Sequence, residues 1–135
     1  MIEKEFIPYE QALALKELGF DEEQCLGWYE SFYSSGTPHL QTEWLEEYLD
    51  FDILVPASLY QQAFRWFREK RSYSCSVDYD DETNDYQYKY VYMNNGYVFS
   101  KKYDTYEEAE LECLKKLIEI VKNDVHRRRS GNTND

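Results

Sequence analysis

Tyrosine stands at every second position from 86 to 92: Tyr86, Tyr88, Tyr90 and Tyr92. An extended backbone sends successive side chains to opposite faces, so this spacing puts all four rings on one side of a β-strand. The preceding run has the same period, with Tyr73, Cys75, Val77 and Tyr79 alternating with Ser74, Ser76 and Asp78. Between the two runs lies the polar stretch Asp80-Asp81-Glu82-Thr83-Asn84-Asp85. Beyond the second lies Asn95-Gly96, two residues that tolerate positive φ and suit a type I′ hairpin turn. With the turn there, Tyr92 pairs with Phe99, Tyr90 with Lys101 and Tyr88 with Tyr103. The opposite face then sets Met93 beside Val98, Val91 beside Ser100 and Lys89 beside Lys102. The economical reading is an antiparallel meander of three strands.

Helical patterns flank this sheet. Over residues 57–70, Ser58 and Gln61 have the spacing of a capping box, and Pro56 discourages any earlier helical turn. Leu59, Ala63, Trp66 and Phe67 recur at intervals of three and four, with Tyr60 and Phe64 widening the stripe. Aromatic rings bury large apolar areas, so the stripe is read as core. Over residues 105–122, Thr105 and Glu108 form a second capping box, and Glu107, Glu108 and Glu110 suit the positive end of the helix dipole. Leu111, Leu114, Ile118 and Val121 mark one seam, broadened by Ala109, Cys113, Leu117 and Ile120. This helix is expected to lie across the sheet.

The N-terminal part is less regular. Pro8 suits the start of a helix running over residues 10–18, with Ala12, Leu15 and Leu18 on one side. Gly19 is a natural C′ residue, and Phe20 is placed to fold back on Leu15 as at a Schellman end. Residues 25–33 read as an irregular strand, closed by Ser34-Ser35-Gly36-Thr37-Pro38. Residues 39–49 fit either of two patterns, an alternating strand through Leu40, Thr42 and Trp44 or a short helix capped by Thr42. Residues 51–55 read as extended.

The fold class expected is α+β: a single small domain over residues 1–126, an antiparallel β-meander packed against two or three α-helices. Residues 127–135 read as a flexible polar tail. A chain of 135 residues is long enough to bury a core. The acidic start Met1-Ile2-Glu3-Lys4-Glu5 is unlike a signal peptide, and no apolar run reaches the length of a membrane span. Cys25, Cys75 and Cys113 are odd in number and lack CxxC spacing, as expected for buried free thiols in a reducing cytoplasm.

Charge is unevenly placed. Residues 1–55 carry a net −11, residues 56–77 a net +3 and the remainder −4, within a total of −12. An acidic half of this strength repels phosphate backbones, which argues against a general nucleic-acid binder. It favours either encounter with a basic protein surface or plain solubility.

Residues with catalytic or ligating chemistry do not fall into working patterns. His39 and His126 share no ligand spacing with any cysteine, and residues 78–85 lack the glycine and terminal glutamate of a calcium loop. No GxSxG, P-loop or GxGxxG pattern occurs, and the cysteines lie on apolar stripes or in strands. No catalytic role, metal or cofactor is therefore expected. Gly96-Tyr97-Val98-Phe99, with Lys101, Lys102 and Tyr103, loosely echoes the aromatic strand of an RNA-recognition sheet. It lacks the leading basic residue and the βαββαβ order. The alternative for these rings is to pack beneath the C-terminal helix with their hydroxyls at the rim.

Four stretches, FIPYEQALALKELGF, CLGWY, LYQQAFRWFREK and TYEEAELECLKKLIEIVK, occur in that order. Together they resemble a group of small uncharacterised proteins found in phages and prophages of gut bacteria. The resemblance implies a viral or mobile-element origin and the cytoplasm of a bacterial host. It brings no activity and no functional residues.

The function expected is recognition. Tyrosine and tryptophan are enriched at interfaces because they bring large contact areas with a polar handle. The candidate binding residues are Tyr86, Tyr88, Tyr90, Tyr92, Tyr97, Phe99, Lys101 and Tyr103. The leading partner is a host bacterial protein, and an inhibitory or anti-defence role is one form such binding could take. The alternatives are a nucleotide-sized ligand held on the aromatic sheet, a minor virion component, and self-association into a homo-oligomer.

Overall fold

A computed structural model describes residues 2–20, 25, 27–30, 39–41 and 54–131. They form a small α+β fold with three α-helices and two three-stranded antiparallel sheets. The chain divides into two compact units, Met1–Gln62 and Ala63–Asp135.

In the first unit a 3-10 turn, Ile2–Glu5, leads into α1, Tyr9–Glu17, with Pro8 as its N-cap. The C-terminal end has the expected Schellman geometry. Gly19 sits at φ +96°, a conformation that costs glycine nothing. Its N–H donates to the Lys16 carbonyl at 3.1 Å, and the Phe20 N–H donates to the Leu15 carbonyl at 2.9 Å. Leu15 and Phe20 are both buried, so the cap also closes an apolar contact surface.

Three short strands follow: β1, Gly27–Glu30; β2, His39–Gln41; and β3, Leu54–Ala57. They pair in the order β2-β1-β3, with Trp28 opposite Gln41 on one side and Pro56 on the other. The sequence suggested strands here but only one meander in the chain, so this second sheet is an addition. Pro56 falls at the sheet's edge among the described residues, where a missing N–H is tolerated. The turn at 34–38, the remainder of the 25–33 strand, residues 51–53 and the alternative helix over 42–49 lie outside the described residues. Helix α1 packs on β3. Tyr29 on β1 fastens the N-terminal segment, its hydroxyl donating to the Ile7 carbonyl at 2.6 Å and its ring meeting Tyr9 edge-on at 5.5 Å.

Helix α2, Tyr60–Arg71, contains the division between the units. It starts later than the Ser58 capping box implied. Ser58 is committed elsewhere: its carbonyl accepts the Ile7 N–H at 3.0 Å, and Phe6 bridges Leu59. The Leu59 N–H instead donates to Gln62 Oε1 at 2.9 Å, which is the glutamine half of a capping box moved one residue along, without a side-chain acceptor at Leu59 to complete it. Tyr60, Ala63, Trp66 and Phe67 are buried as the stripe predicted, while Phe64 is half-buried.

In the second unit Ser72, at φ 64°, turns the chain from α2 into the sheet. Strands β4, Tyr73–Asp80, β5, Asp85–Tyr92, and β6, Val98–Phe99, form the expected antiparallel meander. Tyr73, Cys75, Val77 and Tyr79 lie opposite Tyr92, Tyr90, Tyr88 and Tyr86. Helix α3, Tyr106–Gly131, crosses β4 and β5 and buries Ala109, Cys113, Leu114, Leu117, Ile118 and Val121. Its N-terminus is capped as expected, with Thr105 Oγ1 accepting the Glu108 N–H at 3.1 Å. It runs on past Lys122 to Gly131, taking in part of the segment read as a tail.

The β5–β6 register differs from the sequence-based one. Lys89 pairs with Phe99 and Tyr90 with Val98, rather than Tyr92 with Phe99 and Tyr90 with Lys101. The chain turns at Met93-Asn94, where the Asn95 N–H donates to the Tyr92 carbonyl at 3.1 Å and Met93 takes φ 54°. Gly96, at φ +93°, then only steers the chain back towards β6. An odd shift in register moves every side chain of a strand to the other face. Phe99 therefore shares a face with Lys89, away from the tyrosine row.

Candidate recognition surface

Helix α3 covers the tyrosine face of the sheet. Tyr73 and Tyr88 are buried, Tyr86 and Tyr90 half-buried, and Tyr92 lies at the margin with 36% of its surface exposed. Tyr86 meets Tyr106 of α3 edge-on at 6.1 Å, and burial, with the Asp124 carboxylate adding to it, raises the Tyr73 phenol. Burial pushes the Tyr88 phenol up to about 12, with the neighbouring Tyr103 and Cys113 adding to the effect. Of the predicted binding residues, Tyr86, Tyr88 and Tyr90 thus belong to the packed side of the sheet. Their rings form a graded row in which Tyr88 stacks between Tyr90 at 6.4 Å and Tyr103 at 6.2 Å.

Tyr103 reaches that row through a bulge. The Ser100 N–H donates to the Tyr88 carbonyl, but the Tyr88 N–H donates to Ser100 Oγ at 2.9 Å. Ser100 Oγ in turn donates to the Lys101 carbonyl at 2.7 Å. Three steps along the chain from Ser100 to Tyr103 then match two on β5, where Tyr103 and Tyr86 exchange backbone hydrogen bonds at 2.7 and 2.9 Å. The extra residue returns Tyr103 to the tyrosine side and leaves it half-buried.

Four exposed apolar side chains cluster at the hairpin and along β6, while exposed Tyr79 and Tyr106 stand apart from them on β4 and α3. Met93 is 60% exposed, Tyr97 58%, Val98 49% and Phe99 59%. Tyr97 and Phe99 were candidate residues; Met93 and Val98 were not, since the sequence-based register placed them as a cross-strand pair on the face opposite the tyrosines. Strand β6 also has an open side. The register and the Ser100–Tyr88 bond place Phe99 in a non-hydrogen-bonded pair with Lys89, so its N–H and C=O point away from β5. Among the described residues no strand pairs with that edge.

Lysines rim this strip. The Lys89 ammonium lies 4.9 Å from the Tyr97 ring centroid and 3.5 Å from the Asp78 carboxylate. The exposed Lys101 ammonium lies 5.3 Å from the Tyr103 ring. Lys102 bridges Asp80 at 2.8 Å and Asp85 at 3.8 Å. The hydrogen bond from Lys102 holds the Asp80 carboxyl below its usual range, and Asp80 raises the Lys102 ammonium in return. Lys102 is thereby tied to the β4–β5 turn, whereas Lys89 and Lys101 stand beside aromatic rings.

A cleft of about 210 Å³ lies at the end of this sheet where β4 begins and β5 ends, lined by Lys70, Arg71, Ser72, Tyr73, Tyr92, Val121, Asp124 and Val125. Its aromatic wall is the Tyr73–Tyr92 pair, with centroids 4.8 Å apart. Arg71 is held over the Trp66 ring at 5.5 Å. Among the described residues no three His, Cys, Asp or Glu side chains converge as metal ligands, and no helix is long and apolar enough to cross a membrane.

Comparison of the chain with protein-family models, curated proteins and solved structures gives no match.

Proposed function

We propose that this chain is a non-catalytic recognition protein of a phage or mobile element, which binds a host bacterial protein in the host cytoplasm through the β6 edge. The carrying observation is the coincidence of exposed Tyr97, Val98 and Phe99 side chains with a strand edge that is unpaired among the described residues. Aromatic anchors supply contact area, and outward N–H and C=O groups supply main-chain hydrogen bonds for an added strand. Met93 adds to the case. Its backbone, at φ 54°, serves the turn and donates to the Ser72 carbonyl at 3.0 Å, while its long apolar side chain stays exposed and available for contact. The resemblance to phage and prophage proteins supports the choice of host. An inhibitory or anti-defence role follows if the covered partner surface is itself functional.

The test is affinity capture of the tagged chain from the bacterial host, alongside Phe99→Ala and Phe99→Pro variants. Removing the ring should weaken capture by about 2 kcal/mol or more, the size of an interface hot spot. Proline removes the outward N–H without touching the β5 ladder, so it should abolish strand addition while leaving the fold. Equal capture by wild type and both variants would sink the reading.

The cleft beside Tyr73 and Tyr92 supports a second reading, a nucleotide-sized ligand with its anionic group near Lys70. A panel of nucleotides that raises the melting temperature of the isolated protein, with no host protein co-purifying, would favour it.

A further inference from the structure

Asparagine followed by glycine is a reactive pair wherever the glycine nitrogen can reach the asparagine side chain, and Asn95-Gly96 is the one such pair in the sequence. It stands in the hairpin that leads to β6, with both residues exposed. Among the described residues no group accepts a hydrogen bond from the Gly96 N–H or engages the Asn95 side-chain amide. Gly96 is at φ +93°, and nothing lies within 4 Å of the place a β-carbon would occupy. The attacking nitrogen is thus unpaired, its target amide is uncommitted, and a ring closing between them has room beside Gly96. We propose that Asn95 is a self-modification site, at which the Gly96 nitrogen displaces the side-chain amide and leaves aspartate or isoaspartate, altering the β6 edge as the protein ages.

The other described asparagines lack this combination. The nitrogen that would attack Asn94 is that of Asn95, and its N–H already donates to the Tyr92 carbonyl at 3.1 Å. Asn84 Oδ1 accepts the Tyr79 hydroxyl at 2.7 Å, which holds its side chain. Asn123 lies within α3, and the Asp124 nitrogen that follows it belongs to the same helix. The position of the turn singles out Asn95. With the chain reversing at Met93-Asn94, Gly96 falls between the turn and β6 and takes part in neither set of hydrogen bonds.

The Gly96 nitrogen gives up its proton and attacks Asn95 Cγ, closing a ring through the Asn95 Cβ, Cα and carbonyl carbon. The Cγ–Nδ2 bond breaks, and the side-chain nitrogen leaves as ammonia. Water then opens the cyclic imide. Addition at Cγ leaves aspartate, whereas addition at the backbone carbonyl leaves isoaspartate, whose main chain runs through Cβ and is longer by that atom. Water is consumed and ammonia released, with no oxidant or reductant. Residues 86–103 carry Lys89, Lys101 and Lys102 and no acidic side chain, so the new carboxylate is the first in this stretch. It arises close in sequence to Tyr97, whose ring lies under the Lys89 ammonium at 4.9 Å. The lengthened main chain of isoaspartate leads directly into a β5–β6 ladder of two residue pairs.

The experiment holds the full chain in warm, mildly alkaline buffer beside a synthetic peptide of residues 90–101. The expected result is a mass gain equal to oxygen replacing NH, with ammonia released in step. A proteolytic digest should place the gain on Asn95, and the peptide carrying it should separate into aspartate and isoaspartate forms of equal mass. Raising the pH should speed the change, because the attacking nitrogen must lose its proton. Asn95→Gln, which would have to close a larger ring, should show no gain over the same period. In the isoaspartate form the Tyr90 and Val98 amides, the paired positions nearest the site, should exchange with solvent faster. Asn95 left intact in the folded chain while the free peptide converts would overturn the proposal. A gain on Asn94 instead, or an isoaspartate form whose Tyr90 and Val98 amides exchange as before, would do the same. The chemistry does not rest on the recognition role proposed above: a fresh chain that captures no host protein would end that role and leave these measurements to decide.

Discussion

Ser100 engages both backbone polar groups of Tyr88, its N–H donating to the Tyr88 carbonyl and its hydroxyl accepting the Tyr88 N–H, each at 2.9 Å. The hydroxyl takes the place that a backbone carbonyl would fill in a regular ladder. It lets β6 stay paired while the chain gains one residue before Tyr103.

Ser100→Ala removes that acceptor and leaves the Tyr88 N–H facing an alanine. The loss should be about 1–2 kcal/mol in urea unfolding. The Tyr88 amide should also lose its protection from hydrogen exchange, while the Ala109–Val121 amides of α3 keep theirs.

Phe67 is fully buried on α2. Phe67→Ala should cost about 3–5 kcal/mol by denaturant unfolding, the usual loss for an aromatic side chain removed from a packed interior. Phe64→Ala, on the half-buried flank, should cost clearly less.

Alkaline pH should destabilise the fold through Tyr88. Its phenol is raised to about 12 when folded, against an ordinary 10.0. In the window between those values the unfolded chain has lost the proton and the folded chain has kept it. Stability is therefore level below about pH 10 and falls as the pH rises through 12. Tyr88→Phe should make the decline in melting temperature shallower. Tyr29, Tyr73 and Tyr103, also raised mainly by burial, should sustain the remainder.

Met93→Gly relieves a positive φ at an exposed position and should leave stability unchanged or raise it by up to about 1 kcal/mol. If Met93 is retained for contact, the same variant should bind the captured partner more weakly. Improved folding with unchanged binding would remove Met93 from the interface.

The meander was legible because a tyrosine at every second position states its period directly, and Thr105 and Gly19 mark helix ends by chemistry that few neighbours dispute. The β5–β6 register was not legible. Asn94, Asn95 and Gly96 all accept turn conformations, so the choice fell to longer-range geometry and to the Ser100 side chain. The Ser58 cap failed for a similar reason: its backbone was claimed by Ile7, fifty-one positions away. The first sheet brings residue 28 beside residues 41 and 56, through strands too short to show a period. The candidate site was legible in composition but not in orientation, since alternation groups Tyr86 to Tyr92 on one face without saying which face α3 takes.

The brevity of β6 also bears on self-assembly. Fibril-forming segments stack as uninterrupted extended stretches of about six or seven residues. Here the ladder with β5 is two residues long, preceded by the strained Met93 and the left-handed Gly96 and followed by the bulge at Ser100. An edge this short offers no straight template along which copies could propagate. A longer, flatter β6 carrying the same three exposed side chains would be an aggregation hazard.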